Sequence, residues 1–501
     1  MMVTTLGVVF IATALTSLLG YPEVRRRGVL GDYLLAGGGL TRVPVLNLLV
    51  STSFGLNTMF YQGYLGATVG YWGLVVQLAW AGGFFLLRGH VDAIREYHGL
   101  HHFLGRNFGI TTQVVTALFS LTGITFFLGW ETSIGTDTLA GILTQSQSVV
   151  GTSAQIAAEW LVFGITVGCL LYTLLGGLRG NAKANIVQNV LKFVTFGYVT
   201  YLLWHTFSTT PGASFWSAFV PSRSIMEANL GWWGVITSIA FGLVWQFVDM
   251  STWQSIAASS LSSDDDLRWN LKWSGILVFI TPGVLGTIFG VFLSNIPDAA
   301  TNVLIAAAKI IPATLPIVQA LFIAAIISSI MSLIDGLFLA STYALIIDII
   351  HRNKTLEELD HDEVKAARTL ALARALLTVV GAVSIWGIPW AISLLGDRNI
   401  FFFSFVVVVA QLAIYGPVFI ALKRRSSFTD TAMQQTDIPM WASIVISGII
   451  GFTSAFYGGI HNMKFLTDGA GTFTIIVSVA TAWYLEHRWD RRTAKTKKLV
   501  R

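Results

Sequence analysis

A stripe of polar side chains lies within an apolar stretch of the chain, residues 328–350. Ser328, Ser332 and Asp335 follow one another at i, i+4 and i+7, which puts them on one face of a helix. Ionisable groups inside a bilayer usually face a bundle interior or a watery cavity and mark an ion or solute route. The alternative is a serine ladder that tightens helix packing, with the aspartate near the membrane surface.

The composition assigns the chain to the polytopic membrane proteins. Of its 501 residues, 54% are hydrophobic and 11% are charged, which lies outside the range of soluble domains. The net charge of +5 does not indicate nucleic-acid binding, because the Lys and Arg residues are spread over short loops between apolar spans. We therefore predict one integral membrane domain over residues 1–501.

A helix needs about 20 apolar residues to cross the hydrocarbon core, and this criterion predicts about 13 transmembrane helices. The first is an extra membrane helix rather than a secretion signal, because Arg25, Arg26 and Arg27 follow it instead of preceding it. The predicted limits are 3–20, 43–66, 71–88, 109–141, 156–175, 185–207, 229–250, 271–294, 313–350, 368–391, 400–422, 440–458 and 470–487.

The positive residues predict the orientation. With the amino terminus outside, most Lys and Arg residues fall in the predicted cytoplasmic loops, and the outer loops hold only Arg223, Lys309, Arg398 and Lys464. This asymmetry follows the positive-inside rule. It predicts a cytoplasmic basic tail at residues 488–501. We also expect the protein to lie in the plasma (inner) membrane.

Two predicted spans contain glycine and small polar residues that disfavour a continuous helix. The second contains Ser51, Thr52, Ser53, Gly55, Asn57 and Thr58, and the seventh contains Gly234, Thr237, Ser238 and Gly242 and ends in Asp249. Freed backbone carbonyls are tolerated in a membrane only where they line a cavity. The spans lie five helices apart, which indicates an inverted-repeat transporter with a midplane site. We predict repeats over 43–207 and 229–422, followed by two extra helices over 440–487.

Four stretches resemble the sodium:solute symporter family, and they occur in the family's order. They are DYLLAGGGL at Asp32–Leu40, YTLLGGLRGNAKANIVQNVLKF at Tyr172–Phe193, VDMSTWQSIAASS at Val248–Ser260 and IMSLIDGLFLASTYALIIDI at Ile330–Ile349. The resemblance implies an all-α, leucine-transporter-like fold with ten core helices in two inverted repeats. It also implies secondary transport by alternating access.

The resemblance further implies a sodium site. In the family, backbone carbonyls of the first broken helix and hydroxyls of a later helix hold the ion. The corresponding residues here are Ser53 and Leu56 for the carbonyls and Ser329 and Ser332 for the hydroxyls. A hard cation of this kind requires several oxygen ligands.

Three positions depart from the family pattern. Leu333 stands at the second hydroxyl position, and its alkyl group cannot coordinate sodium. Gly55 stands where proline-type members carry an aspartate, and Asn185 replaces the usual aspartate of a Thr-Asp-x-x-Gln stretch. Asp335, one helical turn from Ser332, is the candidate substitute ligand or proton carrier.

Candidate solute-binding side chains flank the two interrupted regions. They are Asn57, Phe60, Tyr61, Gln62, Trp245, Gln246 and Asp249. Asp249 matches an aspartate that sugar-type members carry in an Asp-Gln-x-x-x-Gln-Arg stretch. It either contacts solute, gates the inner side or is solvated at the cytoplasmic mouth.

Glu131 and Lys192 are two further ionisable residues within predicted spans. Glu131 lies about 33 Å along the fourth span at the usual helical rise, which favours a position near the outer boundary. Lys192 shares a helix face with Asn185 and Gln188, but its long side chain can reach the inner surface. We therefore interpret both as structural residues.

The leading hypothesis for the function is sodium-driven symport of a small polar organic solute, with the sodium ion as coupling ion and no other cofactor. A proton-coupled or uncoupled transporter of the same fold is the second hypothesis, because of Leu333 and Asp335. A membrane solute sensor and a channel are alternatives from other classes. No catalytic triad, carboxylate pair or Cys–His spacing supports an enzyme.

Overall fold

The computed structural model describes residue 7 and residues 30–145, 152–296, 302–312, 315–354, 356–387, 407–425, 437–461 and 463–499. In these ranges the chain forms helices joined by short loops, and no strand occurs there. The predicted first helix at 3–20 lies outside the described residues, as do parts of the predicted spans at 368–391 and 400–422.

The helices in chain order are α1 Leu30–Leu35, α2 Arg42–Ser51, α3 Leu56–Val69, α4 Trp72–Arg88, α5 Val91–Ile94, α6 Leu100–Phe108, α7 Ile110–Gln145, α8 Thr152–Thr209, α9 Phe215–Phe219, α10 Arg223–Asn229, α11 Gly231–Val248, α12 Met250–Ala257, α13 Asp264–Val278, α14 Gly286–Leu293, α15 Val303–Ile310, α16 Pro316–Tyr343, α17 Leu356–Asp360, α18 Glu363–Ala382, α19 Tyr415–Arg425, α20 Asp437–Ile460 and α21 Lys464–Leu499. A 3-10 turn, Ala36–Gly38, follows α1. Turns of π-helix, Phe279–Leu285, Ala344–Ile350 and Val383–Gly387, follow α13, α16 and α18.

Eight stretches of the described chain are long and apolar enough to cross a membrane, or nine if the bent pair Leu30–Gly38 and Arg42–Ser51 is one span. Each predicted span from the second to the thirteenth has a helix at its position within the described ranges. The counts differ in part because α3 and α4 are short and because α8 joins the fifth and sixth predicted spans. The total of 13 stays a prediction.

A single glycine divides α8 into two segments, here named α8a (152–176) and α8b (178–209). Gly177 has φ 55° and ψ −155°, outside the helical region. A Cβ atom at this position would lie 2.5 Å from the carbonyl oxygen of Tyr33. Glycine is required here because the backbone is left-handed and α1 approaches it closely.

The first interrupted span is broken where the sequence predicts it. Helix α2 ends at Ser51 and α3 begins at Leu56, with Gly55 extended between them at φ −78° and ψ 175°.

The second interrupted span breaks at a different residue from the predicted ones. Helix α11 is continuous through Gly234 and Gly242, and the chain leaves the helical conformation at Asp249, with φ −80° and ψ 108°. The predicted interruption between 234 and 242 is therefore wrong. Gly242 instead permits close helix packing, since a Cβ there would lie 2.8 Å from the backbone nitrogen of Trp80 on α4.

Helix α16, with the π-helical turn that follows it, is the most buried of the candidate membrane spans in the described chain. Every residue from Phe322 to Tyr343 is buried, and the helix packs against α7, both parts of α8, α12 and α18. Ser332 and Asp335 are therefore inside the protein. The polar stripe faces the bundle interior, and its role in an ion or solute route stays a prediction.

Helices α3 and α14 approach each other at backbone distance. A Cβ on Gly290 would lie 1.9 Å from the carbonyl oxygen of Gly63, and a Cβ on Gly66 would lie 2.0 Å from that of Thr287. Small residues allow this approach in membrane proteins, where van der Waals packing drives helix association.

We expect Gly290→Ala to destabilise the protein by roughly 1–3 kcal/mol, because the new methyl group must push two backbones apart. Gly197→Ala is the matched control, since nothing lies within 4 Å of a Cβ there. It should leave stability unchanged or raise it slightly, because alanine favours helix. Thermal unfolding in detergent checks both variants, and equal melting temperatures would contradict the close packing.

Candidate functional site

The break between α2 and α3 is held by a carboxylate from α7. The oxygens of Glu131 accept hydrogen bonds from the backbone N–H of Leu56 at 2.7 Å and of Asn57 at 2.9 Å. The first turn of a helix leaves such N–H groups unpaired, and a negative charge there also complements the helix dipole. Glu131 therefore fixes the start of α3.

Glu131 is fully buried within the protein, and its position near the outer boundary of the membrane stays a prediction. Helix α7 has 36 residues, which is about 54 Å at the usual rise against a hydrocarbon core of about 30 Å. Distance along so long a helix does not measure depth in the bilayer.

Lys192 on α8b reaches the same break from the other side. It is fully buried, and its Nζ donates to the carbonyl oxygen of Phe54 at 2.9 Å and to Oγ of Ser332 at 2.8 Å. The ammonium also lies 4.8 Å from the centroid of the Phe54 ring. The predicted reach of Lys192 to the inner surface is wrong, because its face of α8b packs on α16.

Of the residues predicted to hold sodium, Ser332 is the one that the ammonium group of Lys192 contacts. Ser332 lies beside the break, but the carbonyl that meets Lys192 belongs to Phe54 rather than to Ser53 or Leu56. Oγ of Ser329 donates to a carbonyl of its own helix at 2.8 Å. The assignment of Ser53, Leu56, Ser329 and Ser332 as sodium ligands stays a prediction.

Leu333 also faces the break. A Cβ added to Gly55 would lie 2.7 Å from Cδ2 of Leu333, so an alkyl group occupies this side of the gap between α16 and α3. Within the described ranges, Lys192 is the only lysine or arginine that is buried.

Asp335 lies one turn beyond Ser332 and is fully buried. It accepts a hydrogen bond of 2.5 Å from the hydroxyl of Tyr172 on α8a. Its charge and that of Glu131 both act on Lys192. The three groups carry a net charge of −1 when all are ionised.

Asp249 lies at the second break and caps α12. Its carboxylate accepts hydrogen bonds from the backbone N–H of Ser251 at 3.2 Å and of Thr252 at 3.0 Å, and from both hydroxyls. The side chain is buried. These contacts are those of a helix N-cap, and its role in solute binding stays a prediction.

Aromatic rings lie beside the first break. Trp245 stacks on Trp80 with ring centroids 5.3 Å apart, and Phe241 packs on both rings. Nε1 of Trp80 donates to Oγ of Ser53 at 3.4 Å. The next residue, Gln246, is fully buried, and its Nε2 has no hydrogen-bond partner.

The side chains of the predicted solute-binding residues on α3 do not converge on one common site. Gln62 donates to Gln77 at 2.7 Å, which places its amide in the packing between α3 and α4. The hydroxyl of Tyr61 lies 3.4 Å from that of Ser238 on α11. Asn57 accepts from the adjacent Thr58 at 3.2 Å, and Phe60 packs against the main core.

Sequence reasoning therefore missed Lys192 and Glu131 as site residues and did not single out Tyr172 or Trp80. For Lys192 a signal is present, because Asn181, Asn185 and Gln188 precede it on one helix face at i, i+4 and i+7. For Glu131 the signal is an acidic residue within a long apolar span, which it shares with Asp137.

No protein-family model and no curated protein sequence matches the chain significantly. A Na+-coupled sialic acid symporter in a substrate-bound outward-open state is similar in structure, with 14% identity over 96% of this chain and 97% of that chain and a TM-score of 0.69. A nucleobase-cation-symport-1 family transporter, closed with bromovinylhydantoin bound, has 13% identity over 92% and 95% and a TM-score of 0.57.

At these identities the similarity shows the fold. This chain is an integral membrane protein with the helical architecture of those transporters, and the predicted all-α, leucine-transporter-like fold class is confirmed. The repeat limits and the orientation of the termini stay predictions.

We expect Glu131→Gln to lower the free energy of unfolding by roughly 1–3 kcal/mol, because the amide nitrogen of glutamine cannot accept from a backbone N–H. Glu159→Gln, at an exposed position on α8a, is the control and should behave like the parent protein. Thermal unfolding of purified protein gives the comparison. A Glu131→Gln variant as stable as the control would rule out the capping role.

Proposed function

We propose that this protein is a secondary active transporter that moves a small polar organic solute by alternating access. The proposal is supported by the fold and by a helix break that lies between buried ionisable groups. Solvent-free backbone of this kind persists in a membrane only where polar partners or a cavity meet it. Breaks at the midplane are the usual solute and ion sites of inverted-repeat transporters.

We further propose that a proton, rather than sodium at Ser332, is the coupling ion. The observation that carries this proposal is the pair of hydrogen bonds from Lys192 to Phe54 and Ser332. The ammonium satisfies oxygen atoms that sodium would need, and Leu333 contributes none. A sodium ion a few ångströms from a fixed ammonium would also be repelled by it.

The charge balance supports the same proposal. Glu131, Lys192 and Asp335 leave an excess negative charge inside the bundle when all are ionised, and a buried net charge is costly. One bound proton removes that charge. Because the three groups interact, they titrate together rather than independently. Within the cluster, Asp335 is the group that we assign to carry the proton.

The contacts of Lys192 connect binding of the coupling proton to the conformational change of the transporter. This residue joins the first break, α8b and α16 through its two hydrogen bonds. A proton that changes the charge around Lys192 changes the strength of those bonds. A ligand shifts a conformational equilibrium only through such a difference in interaction between the two states.

The surroundings of the break favour an uncharged or cationic solute with a planar face. Lys192 is the only buried lysine or arginine in the described part of the chain, and it is already bonded. A solute carboxylate would therefore lack a cationic partner. The rings of Trp80, Phe241 and Trp245 offer flat apolar faces, which also attract cations.

For the coupling ion, we expect NaCl and KCl to have equal effects on the melting temperature of the purified protein, because no sodium binds the folded state. In proteoliposomes, a pH gradient should drive solute accumulation and a sodium gradient should not. Asp335→Asn should abolish accumulation, while solute counterflow, which needs no coupling ion, should continue.

Glu159→Gln is again the matched control and should keep both activities. Stabilisation by NaCl but not by KCl, together with accumulation that follows the sodium gradient, would favour the sodium-coupled alternative. Full pH-driven accumulation in Asp335→Asn would remove Asp335 as the proton carrier. Single-channel currents would contradict the transporter proposal itself.

For the solute, we expect thermal-shift screening with matched amide and carboxylate pairs on the same planar ring to favour the amides. The physical reason is that a buried carboxylate without a partner is strongly disfavoured. Trp245→Ala should weaken binding of the selected solute by about tenfold or more. Preferential binding of the carboxylates would contradict this assignment.

A further inference from the structure

A second polar stripe faces Asp335 from α8b. Asn181, Asn185, Gln188 and Lys192 are all buried and follow one another at i, i+4, i+7 and i+11 on a single helix face. The stripe extends about 16 Å at the usual helical rise. It begins two residues from Arg179, which is partly exposed and binds Asp32 and the carbonyl of Ala36.

The stripe on α8b and Asp335 on α16 together form a polar seam between the two helices. Six atoms of this seam lack a hydrogen-bond partner in the protein. They are Nδ2 of Asn181, Nδ2 and Oδ1 of Asn185, Nε2 and Oε1 of Gln188, and Oδ1 of Asp335. Asn185 lies beside Asp335 and Gln188 beside Tyr172, but no hydrogen bond of adequate geometry joins them. More than about 90% of buried polar atoms have a partner, so this concentration requires an explanation.

The types of the six atoms identify the partner. Three are nitrogen donors and three are oxygen acceptors. A cation satisfies oxygens only and would leave the amide donors unpaired. Water both donates and accepts, and a buried water usually makes about three hydrogen bonds.

We propose that bound water fills the seam between α8b and α16 and conducts the proton between Asp335 and the Arg179 end of α8b. This inference rests on the proposed function, and it extends it by naming the route. With the predicted orientation, the Arg179 end is the cytoplasmic end. The residues assigned to position the water are Asn181, Asn185 and Gln188.

The transfer needs no co-reactant. A proton that enters the first water at the Arg179 end is passed on as each water donates its own proton to the next. Oδ1 of Asp335 accepts the last one and becomes a carboxyl O–H, and the reverse order releases it. The amides keep their protons throughout.

The titratable groups around Asp335 come from three elements. Tyr172 and Cys169 on α8a and Lys192 on α8b act on it directly, and Glu131 on α7 acts on Lys192. Only Asp335 among these both borders the amide stripe and has an unpaired oxygen. The proton from the stripe therefore arrives at Asp335.

X-ray radiolytic labelling tests the water directly, because hydroxyl radicals formed from bound water modify the adjacent side chains. Tyr172 should be labelled about tenfold faster than Trp253, although both are only 1% exposed. Asn185→Leu should reduce labelling of Tyr172. Thr200→Val, which removes a hydroxyl bonded within α8b and outside the stripe, should not. Equal labelling of Tyr172 and Trp253 would overturn the proposal.

A pH jump followed by infrared spectroscopy tests the conduction. The carboxyl band that Asp335→Asn removes should rise about tenfold more slowly in Asn185→Leu and Gln188→Leu than in Thr200→Val. Equal rates would overturn the route. A band that responds to NaCl at constant pH would identify a cation in the seam and would also overturn it. If no band appears at any pH, the proton carrier and the route both fail, while labelling still reports independently on the water.

Discussion

The structure depends on one buried ammonium group. Lys192 donates to a carbonyl freed by the break after Phe54 and to the hydroxyl of Ser332, and thereby joins three helices at one point. An isolated charge in such a position would be too costly to keep. The two carboxylates that act on it, Glu131 and Asp335, reduce that cost, and their excess charge is the basis of the proposed coupling to a proton.

The two broken spans have the same structural requirement, and different residues meet it. Each restarts with a helix whose first N–H groups need acceptors inside the protein. At the first break the acceptor is Glu131, which belongs to another helix more than 70 residues away in sequence. At the second it is Asp249, which caps its own helix. The first break is therefore sensitive to movement of α7, whereas the second is self-contained.

The packing around the cluster combines rigid and polar contacts. Close glycine contacts, such as that of Gly290 with Gly63, join α3 to α14 at backbone distance. The seam between α8b and α16 is different, because several amide atoms and one carboxylate oxygen along it have no hydrogen-bond partner in the protein. The proposed transport requires both kinds of interface, since packed units move as bodies while ions and protons follow polar seams.

The sequence by itself determined the membrane class, the helix positions from the second predicted span onward, the first break and the buried face of Ser332 and Asp335. These follow from hydrophobic length and periodicity, which are local properties of the chain. Only the tertiary structure decided the roles of Glu131 and Lys192. Their partners are backbone groups exposed by a break far away in sequence, and periodicity carries no information about which helix approaches that break or at what depth.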